Sequence, residues 1–390
     1  MISRTKANYS LRDLWRAWAI REDGRQKEQL AALLSDYTGE KNILLTPSGR
    51  GGLHFILKAL DQRRVLVPSY TCKAVVEAIL LADKLPVHID IEADGFNMDT
   101  SALARELDGD SIVLATHQFG IPCAIEAIVA LARERRAVVI EDAAASFGTR
   151  TAGRLTGTFG DAAFFSFDST KLVNVPMKGG FVIAKDPHLF ARIVKEHEAT
   201  TTPLPNARKW LLLVQATALV LIEHPLLYRA FHWLMFASRG SFTQDSPQLD
   251  PKLNAFYRHA LADWQAFIAA LQVTQIDTLI AKRRELYRAY MRELATLASL
   301  KLPPEDSQSQ WACVRFPICV RGDKLQYYRR AARRGIDFAF SFTFLACPRT
   351  FERAWRVADS VLDVPFYSKL GLDEVQRVSR VLSDLEKRRS

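Results

Sequence analysis

The residues of this sequence able to do chemistry gather around Lys171. An apolar run, Val138-Val139-Ile140, leads into Glu141-Asp142-Ala143-Ala144-Ala145. A second run, Ala162-Ala163-Phe164-Phe165-Ser166-Phe167, precedes Lys171, and Gly179-Gly180 opens a third. A lysine amine forms a Schiff base, a carboxylate holds a protonated pyridine nitrogen, and a hydroxyl binds phosphate. Pyridoxal phosphate requires all three, in the order found here.

Each residue also has a plainer reading. Lys171 follows a phenylalanine-rich strand, and desolvation there would lower its pKa and free its amine. The alternative is a surface lysine at a strand end. Asp142, as a buried strand-end carboxylate, needs a partner; a pyridinium would serve, as would a helix cap or a structural salt bridge. Thr46-Pro47-Ser48-Gly49-Arg50-Gly51-Gly52 lies between a strand and a helix. Backbone N–H groups there, with the helix dipole behind them, can hold a phosphate, although many such glycine-rich turns hold nothing. Arg50 either adds charge or faces solvent. His117, after Ile112-Val113-Leu114-Ala115-Thr116, is either a neighbour of cofactor or substrate or a hydrogen-bonded structural histidine. No metal-ligand spacing is present.

The elements that must position these residues alternate between strand-length apolar runs and helical stretches. The runs fall at 42–45, 65–68, 86–90, 112–115 and 137–140, with helices over about 51–60 and 73–82. Continuous apolar strands between helices indicate a mostly parallel sheet covered on both faces. Ligands of such sheets collect beyond the strand carboxyl ends, where Ser48, Ser69, His117 and Asp142 would converge. Residues 7–37 read as a polar helical stretch with Leu11, Leu14, Trp15 and Trp18 on one face. Further on, 256–298 reads as one long helical stretch, 311–320 as a strand, and 322–334 and 372–388 as helices. The expected organisation is a helical segment over 1–40, a cofactor-binding α/β domain over 41–202, an apolar helical insertion over 203–250 and a smaller α/β domain over 251–390.

Composition agrees with a folded enzyme: 390 residues, 48% apolar and 25% charged, exceed what a single small core requires. Five cysteines without a CxxC pair suggest neither disulfides nor zinc, and fit a reducing compartment. The opening Met1-Ile2-Ser3-Arg4-Thr5-Lys6 does not read as a secretory signal. A net charge of +10 favours anionic partners such as nucleotide phosphates or an acidic membrane. Nucleic acid is not expected, because no basic stripe is interleaved with aromatics.

Taken together, the motifs resemble the DegT/StrS-type sugar aminotransferases, which have the aspartate aminotransferase (type I) fold of pyridoxal phosphate enzymes. The resemblance rests on Ser48-Gly49-Arg50, Pro68-Ser69-Tyr70-Thr71, Glu141-Asp142-Ala143-Ala144, Phe165-Ser166-Phe167 with Lys171, and Gly179-Gly180. It runs through about 40–200 and more loosely through 260–386. It implies that Lys171 carries the cofactor, that Asp142 binds its ring nitrogen, and that Ser166 with the Gly49-Arg50 turn binds its phosphate. It also implies a homodimer with shared sites, in which an amino group passes from glutamate to a keto sugar, commonly nucleotide-linked. This sequence departs from the pattern at four points. Ala145 stands where a contact to the ring hydroxyl is usual, and Cys72 where an aromatic stacks on the ring; Tyr70 or His117 would have to compensate. Arg50 replaces a threonine, and Arg258 stands in for an asparagine that reaches the partner's phosphate.

Residues 203–250 lie outside that pattern. Trp210–Ile222 is uncharged, and after Glu223-His224-Pro225 a second apolar run spans 226–236. Each run is shorter than the ~20 residues of a spanning helix, and Pro225 interrupts any continuous one. A hairpin of two short helices is expected, packed into the core or dimer interface, or lying on a membrane or over a lipid-bearing substrate. The reading is therefore a cytoplasmic sugar aminotransferase, with two alternatives: a membrane-surface aminotransferase acting on a lipid-linked keto substrate, and a cofactor-free relative that acts by binding.

Overall fold

The structure, a computed structural model, describes residues 1–239, 248–308 and 310–387. Seven strands form one sheet, in spatial order Ile43–Thr46, Gly180–Ala184, Ala162–Ser166, Val138–Asp142, Ser111–Thr116, Arg64–Pro68 and Leu85–Ile89. The last five of these are mutually parallel, while Gly180–Ala184 runs antiparallel to both its neighbours. The five inner strands are short apolar runs, nearly all buried, because helices cover both faces, while the two edge strands are partly exposed. Their limits lie within two residues of those expected.

Two expected long helices are broken. The N-terminal stretch forms Leu11–Trp18 and Arg25–Thr38, divided before Gly24, which has φ 89°. Gly24 has no side chain with which to cap the second helix. Asp263 supplies the cap, accepting the N–H groups of Gly24, Gln26 and Lys27 at 3.0, 2.9 and 3.2 Å. Residues 256–298 become Ala255–Arg258, Asp263–Val273 and Ile276–Leu294. The strand expected over 311–320 shrinks to Phe316–Cys319, paired antiparallel with Val361–Val364.

A second core gathers Tyr290, Phe316, Tyr328, Phe338 and Val378 of the C-terminal part, here called the small domain, with Tyr70 and Phe119 from beside the sheet, and Ile2 packs into it through a bridge to Ile336. Helix Asp263–Val273 instead packs with Arg25–Thr38 in the core beneath the large sheet. A buried carboxylate fixes the N-terminal segment: Asp337 accepts from Nε and Nη2 of Arg4, each at 2.7 Å, and also from the hydroxyls of Tyr228 and Tyr328. Residues 206–239 form the expected hairpin, Asn206–Ile222 and Pro225–Arg239, bent by 107°.

Candidate active site

The strand ends converge on one cavity of about 260 Å³. Lys171 lies in the loop after Ala162–Ser166, its N–H donated to Asp168 O at 2.9 Å, and its side chain lines the cavity. Its pKa is lowered by burial and by Arg315, and Asp168 and Asp142 only partly restore it. Asp142 lines the cavity from the end of the next strand and accepts the Ala144 N–H at 3.1 Å. Burial raises its pKa; nearby Lys171 and the Ala144 N–H counter this in part. It is a carboxylate short of positive charge.

The phosphate-type cradle lies where the Ser48 turn meets Ser166. The Ser48 hydroxyl is already engaged, accepting from Gly51 N–H at 3.1 Å and donating to Phe256 O at 2.7 Å. It therefore caps helix Gly49–Lys58 and fixes the turn. The N–H groups of Gly49 and Arg50 are in the first helical turn and have no intrahelical acceptor. A Cβ on Gly49 would come within 3.0 Å of Ser166 Cβ, so only glycine lets this helix end approach the Ser166 hydroxyl so closely. Arg50 and Lys178 both lie over the Phe256 ring, at 5.5 and 4.8 Å from its centroid.

Of the residues expected at the site, Lys171, Asp142, Ser166, Ser48, Gly49, Arg50, Cys72 and Ala145 all line the cavity. Four lie elsewhere in this chain, Ser69 among them, buried just past Arg64–Pro68 and outside the lining. His117 is wholly buried behind it: Nε2 meets Glu141 Oε2 at 2.9 Å, and Nδ1 accepts the Cys123 N–H at 3.2 Å. Both ring nitrogens are thus engaged within the protein, and neither is free to meet a ligand. Glu141 also accepts the N–H groups of Gly157, Phe159 and Gly160. Burial opposes its ionisation, but His117 and these N–H groups outweigh that and lower its pKa. The pair holds the loop that feeds Ala162–Ser166, which is the structural reading of His117. Tyr70 is fully buried, its hydroxyl donated to Ser341 O at 3.2 Å, and joins the large domain to the small. Arg258 is exposed.

Other lining residues were not anticipated. Lys178 pairs with Asp168 at 2.7 Å; burial alone would raise the Asp168 pKa, but Lys178 overrides it and lowers it to about 2. Arg315 reaches the cavity from the small domain, anchored on Asp363 at 2.6 Å. Phe119 and Phe342 present rings to the cavity from backbone with φ 61° and 48°, a cost that such residues bear mainly at functional sites. Lys178 has a signal in the sequence, two residues before the glycine strand. Arg315 and Phe342 have none.

The donors fit pyridoxal phosphate. Asp142 is a buried carboxylate that a protonated ring nitrogen would neutralise, Lys171 is a desolvated amine, and Gly49 lets a helix end with free N–H groups lie against Ser166. Thr116 Oγ1, buried among the lining, has no protein partner. Fold and site thus define a pyridoxal phosphate-dependent aminotransferase. The chain belongs to the DegT/DnrJ/EryC1/StrS aminotransferase family, which it matches over residues 3–383. It is 24% identical to an uncharacterized protein of Methanocaldococcus jannaschii, covering 90% of this chain and 89% of the other. It is 34% identical to the GDP-perosamine synthase of Escherichia coli O157:H7 over 37% of this chain and 41% of that protein. Among solved structures, the sugar aminotransferase CalS13 from Micromonospora echinospora superposes with a TM-score of 0.76 at 20% identity, covering 98% of this chain and all of the other.

Proposed function

We propose that this enzyme moves an amino group from L-glutamate to the keto group of a nucleotide-linked sugar destined for a polysaccharide or glycoconjugate. It acts in the cytoplasm as a homodimer whose partner completes each site. The observation that carries the reading is the meeting of Lys171, Asp142 and the Ser166–Gly49 cradle in one cavity. The GDP-perosamine synthase relative supports the sugar-nucleotide acceptor.

Bound pyridoxal phosphate would supply an electron sink for the bond broken at the donor's α carbon. The protein's part is positioning and proton transfer. Lys171, its amine partly freed by desolvation, first holds the cofactor and then moves a proton from the α carbon. Asp142 keeps a proton on the ring nitrogen. Ser166 and the N–H groups of Gly49 and Arg50 bind the phosphate at the positive end of a helix dipole. Arg315, held rigid by Asp363, offers a guanidinium to the donor's carboxylate. Phe119 and Phe342 exclude water from the ring's neighbourhood.

The test is the absorbance of the purified protein with pyridoxal phosphate, before and after L-glutamate. A yellow band that glutamate converts to the pyridoxamine form supports the first half-reaction. A band that glutamate leaves unmoved rejects glutamate as donor, and absence of any band rejects the site assignment.

A further inference from the structure

The hairpin Asn206–Ile222 and Pro225–Arg239 presents an apolar outer face that nothing in the catalytic site uses. Trp210 is 44% exposed, Leu226 72% and Trp233 70%. Helix Leu11–Trp18 packs on the first hairpin helix and extends the face with Trp15, 77% exposed, and Trp18, whose ring lies 5.2 Å from Trp210. Isolated exposed apolar residues are ordinary, but several large ones on three helices that pack in succession mark a contact surface.

A basic cavity adjoins this face. It measures about 670 Å³ and is lined by Arg229 and Trp233 of the second hairpin helix and by Arg329, Arg333, Arg334 and Arg377 of the small domain. Among the described residues Arg334 alone has an acidic partner, Asp384 at 3.4 Å, while the other four arginines form no ion pair. The hairpin's inner side is anchored here: His232 Nε2 meets the Tyr328 hydroxyl at 2.9 Å and Asp337 at 3.4 Å. The outer side is therefore held in a fixed relation to the arginines, with Trp233 belonging to both.

We propose that this face rests on an anionic bilayer, with a lipid headgroup phosphate held in the arginine-lined cavity. The proposal stands apart from the aminotransferase reading and does not depend on it. Amphipathic tryptophan favours the boundary between headgroups and acyl chains, and basic residues beside an apolar face add attraction for acidic lipid. Among the described residues no single helix is long and apolar enough to cross a membrane, and the two hairpin helices are bent by 107° at their break. A second copy is the poorer occupant. A two-fold contact centred on this cavity would bring the arginines of both copies together.

The experiment is flotation of the cofactor-loaded enzyme with vesicles of phosphatidylcholine alone or mixed equally with phosphatidylglycerol. Binding is expected only to the acidic vesicles, weakened by salt, with a blue shift of tryptophan fluorescence. Arg229→Ala combined with Arg333→Ala should lower partitioning about thirtyfold, from about 1 kcal/mol per arginine near the surface. The same double variant should keep its absorbance spectrum and solution activity. Equal binding to both vesicle types, or to neither, overturns the proposal. So does inorganic phosphate that protects the enzyme thermally through these arginines without any vesicle binding. Dissociation of a dimer by Trp233→Asp would assign the face to a second copy instead.

Discussion

Lys171 combines two properties that a structural lysine lacks: it lies in the cavity, and burial disfavours its charge. Lys171→Ala should therefore lower transamination on the order of 10³-fold or more while leaving circular dichroism unchanged; measurable turnover near wild type would reject its role. Asp142→Ala tests a different function. It leaves the amine in place but removes the carboxylate proposed to hold the ring nitrogen's proton. The expected outcome is retained yellow colour with the loss confined to kcat, read by comparing the absorbance titration with steady-state rates.

At the scale of elements, the site depends on how closely a helix end can approach a strand. Gly49→Val places methyl groups against Ser166, whose Cβ already lies 3.0 Å from where a Cβ would be. Cofactor affinity should fall at least about tenfold, one lost hydrogen bond to a charged group being worth about 1.5–3 kcal/mol, with the melting profile of the apoprotein far less affected. Ser48→Ala should act the other way round. Its hydroxyl caps the helix and ties it to Phe256, so about 1 kcal/mol of stability is lost, measured by urea unfolding. If Ser48→Ala instead abolished phosphate binding with stability intact, the cap assignment would be wrong.

For the molecule as a whole, Asp337 binds three parts together: the N-terminal segment through Arg4, the hairpin through Tyr228 and the small domain through Tyr328. Burial alone would raise its pKa, but Arg4, His232 and Tyr228 prevail and lower it to about 2 from the usual 3.8. A carboxyl that ionises more readily when folded contributes stability in full above about pH 4, and that contribution is lost as pH falls through about 2. Its size is about 2 kcal/mol, at about 1.4 kcal/mol per tenfold change in acidity. Asp337→Asn should flatten the fall in stability between pH 4 and 2, read by denaturant midpoints across that range. Asp337→Ala, which strands the buried end of Arg4, should cost about 3–5 kcal/mol at neutral pH.

Local sequence determined the strands, because a strand buried on both faces must be an unbroken apolar run, as Val138–Ile140 and Ala162–Phe165 are. It likewise pointed to Lys171, Asp142, Ser166 and the Gly49 turn, which follow the ends of such runs and which the fold brings to one cavity. Tertiary structure decided whatever depends on a partner far along the chain. Gly24 could not reveal that Asp263 caps its helix, so the break before it was invisible. His117 read equally well as a ligand contact until Glu141 and the Cys123 N–H filled both its nitrogens. Arg315 and Phe342 belong to another domain and carry no motif, since only the packing of the small domain brings them to the cavity. The arginines at 229, 329, 333 and 377 look like ordinary surface charge in sequence. Charges act through distance in space, and the fold alone gathers them beside Trp233.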